Sequence, residues 1–443
     1  MSASILARKT FRTSRLAEFA SKAELVRQIG HAVEQWPLVV VKELIDNALD
    51  AAEEAGVAPE IKVVVERDRI TVADAGDGIA PETVAALVDY SARTSSREAY
   101  VSPTRGAQGN ALQTILAMPL ALDGEKGETI IESHGIAHRI VFDVDPVRLT
   151  PRVAHERSSS VVKNGVRTTV RWPNRACSIL DAAKLDFYNT THTFAWLNPH
   201  LSLTATWRGE SATRVVASDP KWSKWLPSQP TSPHWYDAPR LTRLMAAHVA
   251  HAEDHGIPCP TVREFVGEFR GLSGTAKGKA ICEAVGSAKE SLADFHRGGE
   301  ERIGSLLSAM QAMSRPIRPS ELGVIGRAHL TRLWQAAGGD TRSLNYQSSA
   351  LTVDGVPYVA EVAFAFAPEA EQRTLVTGLN FSPAIGGNPF RKLGPFGGLD
   401  GLLSEQWAGP EEPVVIFVHV TAPRFDFLDR GKSSVALPRA VSG

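Results

Sequence analysis

Lys-Glu-Leu-Ile-Asp-Asn-Ala-Leu-Asp-Ala, residues 42–51, is the stretch that decides the fold of this chain. Its apolar residues recur at the spacing of one helix face, and they are Leu44, Ile45, Ala48, Leu49 and, just beyond, Ala52. Glu43, Asn47 and Asp50 share one edge of the predicted helix. There a Glu43 carboxylate can take a proton from water, and the Asn47 oxygen can bind a hard cation. Alone, the pattern is more typical of a solvent-exposed edge, so the flanking sequence must decide.

Composition limits the class of protein. The 443 residues suggest two or three domains, and 43% hydrophobic with 22% charged residues is typical of a globular protein. A formal net charge of −1 means that any DNA contact must come from a local basic patch. The cysteines, Cys177, Cys259 and Cys282, are too far apart for a disulfide framework or a cysteine-based zinc cluster. Without an 18-residue apolar run or a recognisable signal peptide, we expect a cytoplasmic protein with no membrane contact.

A second motif, Asp74-Ala-Gly-Asp-Gly-Ile79, follows two predicted strands at 61–66 and 69–73. Glycines at 76 and 78 suggest a backbone that turns sharply and approaches another group closely. An aspartate at a strand end can accept a hydrogen bond from an exocyclic amine. Alone, the segment is more typical of a plain Asp-Gly turn between a strand and a helix.

A third motif, Arg105-Gly-Ala-Gln-Gly109, leads through Asn110 into an apolar helix. Exposed amides at such a helix start, together with the helix dipole, favour a phosphate. The polar residues 91–104 before it have the character of a mobile lid. The motif is a weak signal by itself and is not a Walker loop, because no Gly-Lys-Ser/Thr follows.

The rest of the chain changes character twice. Residues 129–206 read as strands around a helix at 180–197, with Asn164-Gly165 as a hairpin candidate. A Pro-, Ser- and Trp-rich connection at 217–239 precedes a mostly helical stretch at 240–312. The final part should hold a βαβ unit, built from strands and a short helix at 356–367, 375–381, 399–407 and 414–421.

In this order and spacing, the three motifs resemble the Bergerat-fold (GHKL) ATPases, the family of gyrase B, MutL, histidine kinases and heat-shock chaperones. Within that family the chain looks most like the B subunit of type IIB topoisomerase VI, over nearly its whole length. The matching segments are Asn47–Gly56, Arg105–Gly109, Gly267–Arg270, Ile317–Pro319, Tyr358–Ala365, Phe417–Val420 and Gly431-Lys432.

The resemblance implies an α+β fold with three domains. Residues 1–216 would hold an N-terminal arm at 11–19 and a Bergerat-fold α/β sandwich ATPase domain. Residues 217–312 would hold a connection and a helical insert like the family's helix-two-turn-helix. Residues 313–443 would form a βαβ transducer domain. Only eleven residues follow Lys432, so we expect them to lack the family's long transducer helix.

The resemblance also implies a site for ATP and Mg²⁺. Glu43 would be the general base, Asn47 the Mg²⁺ ligand, and Lys432 the cation that reaches the γ-phosphate. Asp74 would bind the adenine amine in a pocket shaped by Gly76 and Gly78. The phosphate loop would contribute Arg105, Gly106, Ala107, Gln108, Gly109 and Asn110. Ala111 stands where the family's loop usually continues with glycine, so the start of the following helix could approach the phosphates differently.

The implied partners are DNA, a second copy of the chain joined to it by ATP, and a separate DNA-cleaving A-type subunit with a Toprim domain and a cleavage tyrosine. The chain offers no cleavage tyrosine within a helix-turn-helix, so we do not expect it to cut DNA alone. The alternative is a MutL-like or chaperone-like ATP-dependent clamp that switches another nuclease or partner, for instance in a defence or mobile-element system. The identity of the partner separates the two hypotheses.

Overall fold

The computed structural model describes residues 16–90, 99–105, 111–145, 147, 150–287, 289–393 and 397–442. The predicted arm residues 11–15, most of the lid at 91–98, and residues 106–110 of the phosphate loop lie outside them. Among the described helices, none has the length and apolar character needed to cross a membrane.

In the first part of the described chain, eight strands form one sheet in the order β5-β4-β3-β6-β2-β1-β7-β8. They are β1 (Glu60–Val65), β2 (Arg69–Asp74), β3 (Lys126–Ser133), β4 (Ile136–Val144), β5 (Pro151–Ser159), β6 (Val166–Arg171), β7 (Ser202–Trp207) and β8 (Glu210–Val215). Neighbouring strands are antiparallel except β1 and β7, which run parallel. β5 pairs with β4 while β6 pairs with β3 and β2, so the predicted hairpin at Asn164-Gly165 was wrong.

Helices pack on this sheet and bury its apolar face. They are α1 (Leu16–Phe19), α2 (Lys22–Ile29), α3 (Trp36–Glu54), α4 (Pro81–Leu87), α5 (Ala111–Asp123), α6 (Cys177–Ala182) and α7 (Lys184–Leu197). α3 begins with Pro37 in its first turn and is followed by Gly56 at φ +70°, as its sequence predicted. Its predicted apolar stripe is buried against the sheet, which leaves the edge with Glu43 and Asn47 available to a cleft.

A helical layer with its own core follows. It consists of α8 (Ala238–His255), α9 (Val262–Gly267), α10 (Thr275–Ala284), α11 (Leu292–Arg297) and α12 (Glu300–Met313). The connection before it is not a loose linker, because Trp225 and Trp235 are buried in the core of these helices with ring centroids 5.1 Å apart. Burial of such large side chains fixes the helical layer to the chain that leads into it.

The last part is a second sheet, whose described strands have the order β12-β11-β13-β10-β9. Its elements are α13 (Arg327–Ala336), β9 (Asn345–Val353), β10 (Val356–Phe366), β11 (Thr374–Leu379), β12 (Ser382–Pro383), α14 (Leu399–Glu405), β13 (Val414–Thr421), β14 (Asp426–Phe427), β15 (Val435–Ala436) and α15 (Arg439–Ser442). β11 and β13 are parallel with α14 between them, which confirms the predicted βαβ unit. β14 and β15 form a separate small hairpin that carries Lys432 in its loop.

Candidate nucleotide-binding site

Glu43 lies on the edge of α3 in a cleft of about 230 Å³ that Thr114, Ser382 and Lys432 also line. About 24% of its side chain is exposed, and its Oε1 lies 3.4 Å from Nζ of the neighbouring Lys42. The cleft is therefore lined both by a carboxylate of α3 and by a lysine from near the end of the printed sequence. A carboxylate and an ammonium facing one space suit the activation of water and the stabilisation of a terminal phosphate.

Lys42 forms a buried ion pair beside that carboxylate. Its Nζ lies 2.8 Å from Oδ2 of Asp46, one helical turn further along α3. Burial alone would lower the pKa of Lys42, but the carboxylates of Asp46 and Glu43 overcome this effect and raise it. Burial also raises the pKa of Asp46 to about 6, against the opposing effect of Lys42. The Lys42 ammonium and the carboxylates of Glu43 and Asp46 therefore hold one another in place on this edge of α3.

Asp74 ends β2 in a second cleft, of about 580 Å³, which Asn47 also lines. Its Oδ1 accepts hydrogen bonds from the N–H groups of Gly76, at 2.9 Å, and Val166, at 3.3 Å. Burial raises the pKa of Asp74, while these two donors act in the opposite direction. No described residue bonds to Oδ2, so that oxygen can accept from an amine in the cleft.

The glycines after Asp74 shape this turn. Gly78 has φ +93°, and a Cβ there would lie 2.5 Å from Oγ of Ser133. That hydroxyl accepts from the N–H of Ile79 at 2.9 Å and donates to the carbonyl of Gly165 at 3.0 Å. The close approach that the glycine spacing predicted is therefore present, and a serine at the end of β3 holds the turn in place.

Residues that the sequence analysis missed also line this cleft. Thr168 of β6 lies opposite Val72 of β2, next to Asp74. Gly165 has φ +71°, and a Cβ there would overlap the carbonyl of Asp74. The glycine after Asn164 was seen as a turn signal, but only the pairing of β6 with β2 shows that it adjoins Asp74.

The predicted phosphate loop is only partly described. Gly106, Ala107, Gln108, Gly109 and Asn110 lie outside the described residues, so their contacts remain predictions. α5 begins directly after them at Ala111, and Thr114 of its first turn lines the cleft with Glu43. The helix start thus faces the space where the prediction places phosphates.

Arg105 is held in a cluster of charged side chains at the edge of the cleft that Glu43 lines. Its guanidinium was predicted to contact the nucleotide, but it is fully buried and pairs with Asp50 at 2.7 Å and Glu53 at 2.6 Å. It also donates to Oδ1 of Asn198 at 2.6 Å. Nζ of Lys224 lies 3.0 Å from Glu53 in the same cluster. These ion pairs fix the position of the guanidinium where the chain leads into residues 106–110, and a contact of Arg105 with the nucleotide stays a prediction.

Lys432 is delivered to the cleft by the loop between β14 and β15. Its N–H donates to the carbonyl of Asp429 at 3.2 Å, and its Nζ lies 5.9 Å from the ring centroid of Phe427. The loop is seated on α2 by two glycines, since a Cβ on Gly431 would lie 2.5 Å from the carbonyl oxygen of Gly30. Backbone therefore packs on backbone where the second sheet meets the first domain.

The Asn47 carboxamide oxygen fits a Mg²⁺ ion that is shared with a nucleotide. Within the described part of the chain, the Asn47 carboxamide is exposed to its cleft and has no hydrogen-bond partner. The described residues contain no group of three or more His, Cys, Asp or Glu side chains that could hold a metal. Mg²⁺ commonly binds through one or two protein oxygens together with substrate phosphates, and the single amide oxygen of Asn47, in the cleft of Asp74, matches that mode.

Comparisons with known proteins agree with this geometry. Residues 32–174 match the family described as histidine kinase-, DNA gyrase B- and HSP90-like ATPases. The B subunit of type 2 DNA topoisomerase 6 from Natronomonas pharaonis is 33% identical over 155 residues, or 33% of this chain and 19% of that protein. The equivalent proteins of Archaeoglobus fulgidus and Methanosarcina mazei, which have the same name, are 23% and 24% identical, over 90% and 95% of this chain.

The chain spans 66% and 68% of the latter two relatives. Those matches extend through both sheets and the helical layer, whereas the family match ends at residue 174. The chain thus holds, at residues 32–174, a domain that matches the histidine kinase-, DNA gyrase B- and HSP90-like ATPases, and it resembles topoisomerase 6 B subunits along most of its length.

Proposed function

We propose that this chain is the Mg²⁺-dependent, ATP-hydrolysing subunit of a topoisomerase VI-like enzyme. The observation that carries the proposal is that Glu43 of α3 and Lys432 of the β14–β15 loop line one cleft. Two groups of opposite charge, from distant parts of the sequence, then meet where a terminal phosphate and its attacking water would lie. Glu43 takes the proton from that water, and Lys432 stabilises charge that develops on the phosphate.

The second cleft supports a nucleotide rather than a smaller phosphate ester. Asp74 presents its Oδ2 to an amine, and the turn through Gly76 and Gly78 leaves space for a planar base. Asn47 lies on α3, four residues after Glu43, and lines the cleft of Asp74, where its amide oxygen can hold Mg²⁺ shared with the phosphates. In this proposal Gly106, Gln108 and Gly109 donate backbone amides to the phosphates, and Arg105 anchors their loop.

Domain movement follows from where Lys432 originates. The first sheet, the helical layer and the second sheet each have an apolar cluster of their own, and Trp196 and Leu197 of α7 pack into that of the second sheet. These clusters support domains at 1–216, 217–312 and 313–443, with a close contact between the first and the third. ATP bound between Glu43 and Lys432 holds the first and third domains together, and hydrolysis releases them. We propose that this change closes two copies of the chain around DNA, while a separate protein of the complex cuts the strands.

The experiment is a pull-down from native extract with the tagged chain, with and without a non-hydrolysable ATP analogue. Recovery of a protein with a cleavage tyrosine and a Toprim domain, followed by ATP-dependent relaxation of supercoiled plasmid by the pair, supports the proposal. Recovery of a nuclease of another type, with no relaxation, would favour an ATP-dependent clamp instead. The Glu43→Ala chain is the matched control, because it should bind the partner without supporting relaxation.

A further inference from the structure

Three consecutive residues of the second sheet each bond to a different part of the ATPase domain. They form the turn from β11 into β12. Asn380 Nδ2 donates to the carbonyl of Thr104 at 3.2 Å, and the carbonyl of Phe381 accepts from Asn198 Nδ2 at 3.0 Å. Ser382 Oγ donates to Oδ2 of Asp46 at 2.8 Å. The turn therefore contacts the residue before Arg105, the end of α7 and the helix that carries Glu43.

The turn also forms hydrogen bonds within its own domain. The N–H of Ala422 donates to Oδ1 of Asn380 at 3.0 Å, and the N–H of Phe381 donates to Nε2 of His419 at 3.1 Å. Asn380 and Phe381 have φ values of +48° and +66°, a left-handed conformation that costs energy for residues other than glycine. Contacts on both sides maintain this conformation, so a shift of the second sheet reaches Ser382 directly.

The Ser382 hydroxyl contacts the edge of α3 that carries Lys42, Glu43 and Asp46. Oδ2 of Asp46 also accepts from Lys42 at 2.8 Å, and Lys42 lies 3.4 Å from Glu43. Oδ1 of Asp46 is buried, and no described residue bonds to it. The carboxylate therefore depends on Ser382 and Lys42 for its orientation, and a hydroxyl from the third domain completes its environment.

We infer that Ser382 is a positioning residue for ATP hydrolysis: through Asp46 and Lys42 it orients Glu43 only while the second sheet is docked on α3. This inference rests on the proposed function. It adds a second route, besides Lys432, by which the third domain affects hydrolysis at Glu43. Ser382 contacts no reacting atom in this scheme. Its hydroxyl transmits docking to a carboxylate, which fixes the ammonium beside the base.

The kinetic test compares Ser382→Ala with the unmodified chain and with Ser404→Ala. The Ser404 hydroxyl donates to the carbonyl of Asp400 on its own helix, so its variant is the matched control. Ser382→Ala should lower kcat by roughly tenfold, because the base loses orientation, while ATP-analogue affinity stays within about twofold. Ser404→Ala should match the unmodified chain. Equal loss of kcat and affinity, or no change in Ser382→Ala, would overturn the inference.

A second arm needs no turnover. Thermal unfolding of Ser382→Ala, Asp46→Asn and the double variant measures whether the two side chains act together. The double variant should lose no more in Tm than the worse single variant, whereas additive losses would refute the contact. An unmodified chain that neither binds nor hydrolyses ATP would contradict the proposed function, while this cycle would still decide whether Ser382 and Asp46 are coupled.

Discussion

Asp74 shows how a single side chain can be oriented before a ligand binds. Both backbone donors, Gly76 and Val166, engage the same oxygen and leave the other to the cleft. Ser133 in turn holds the chain on either side, at Ile79 and Gly165. The carboxylate therefore needs little reorganisation to accept an amine, which favours affinity.

Asp74→Asn should weaken ATP binding by roughly ten- to a hundredfold, because a hydrogen bond to a charged group contributes about 1.5–3 kcal/mol. The asparagine can keep one acceptor for the backbone but then presents an N–H₂ group to the adenine amine. Calorimetry with a non-hydrolysable analogue measures the change. Asp77→Asn, an exposed aspartate of the same turn, is the control. Unchanged affinity in Asp74→Asn would remove Asp74 from the adenine site.

Glu53 shows what a buried charge does for stability here. Burial alone would raise its pKa, but Arg105 and Lys224, with a hydrogen bond from His200, hold the pKa of Glu53 well below its usual range. Unfolding therefore raises the pKa of this carboxyl, and the unfolded chain binds the additional proton in acid. Stability from Glu53 is fully present above its ordinary pKa of about 4.5 and is lost as the pH falls below that value.

Glu53→Gln should lower the free energy of unfolding by about 3–5 kcal/mol at pH 7, because it leaves two buried cations short of a partner. The deficit relative to the unmodified chain should shrink as the pH falls below about 4.5. Urea unfolding at several pH values measures both quantities. Glu34→Gln, at an exposed position, should be neutral throughout. A deficit that stayed constant with pH would contradict the assigned ion cluster.

Among the elements, α3 and the strands with strong alternation could be predicted from sequence. The period of the α3 stripe, Pro37 at its start and Gly56 at its end are local signals, and each is present as expected. β5 and β8 were missed because their residues are mostly polar and exposed at the two edges of the sheet. Edge strands expose one side to solvent, so they lack the apolar pattern that identifies central strands.

The candidate site could be predicted only where a motif is local. The motifs singled out Glu43, Asn47 and Asp74; Glu43 lines one cleft and the other two line a second, and their roles toward a nucleotide stay predictions. The role of Arg105 could not be predicted, because its partners Glu53 and Asn198 lie 52 and 93 residues away in the chain. The same limit applies to Ser382, which meets Asp46 across 336 residues. Pairing at such distances is set by domain packing.

The loop that carries Lys432 depends on glycine at its contact with α2. Gly431→Ala should lower ATP turnover by roughly ten- to a hundredfold, because the added Cβ would strike Gly30 and displace the lysine from the cleft. ATP affinity should fall much less, since Asp74 and Asn47 are unaffected. Gly409→Ala, where a Cβ meets open space, is the matched control for steady-state ATPase assays. Full activity in Gly431→Ala would show that Lys432 reaches the cleft without the close contact between Gly431 and Gly30.

At the scale of the whole molecule, the cleft that Glu43 and Lys432 line is built from elements far apart in sequence. Arg105, Asn198 and the turn at 380–382 connect the first domain to the second sheet, while Lys224 brings the connection at 217–239 into the same cluster. These buried polar contacts make relative domain position depend on the geometry of the site.

The proposed ATP-dependent association of two copies is tested by the mass of the chain in solution. Sedimentation of the chain with a non-hydrolysable ATP analogue and Mg²⁺ should show a monomer becoming a dimer, because the analogue holds the domains in the docked state. Asp74→Asn at the same analogue concentration should remain largely monomeric. A mass that does not change with nucleotide would argue against gating by two copies of the chain.

Glu43, which lines one cleft with Lys432, is the proposed base for ATP hydrolysis. The most direct measurement is steady-state ATP turnover, with nucleotide affinity measured in parallel, for the unmodified chain and for Glu43→Ala. We predict that Glu43→Ala binds the ATP analogue nearly as well as the unmodified chain and loses about 10²–10⁴-fold in kcat. Equal loss of binding and turnover, or turnover that survives the substitution, would contradict that role.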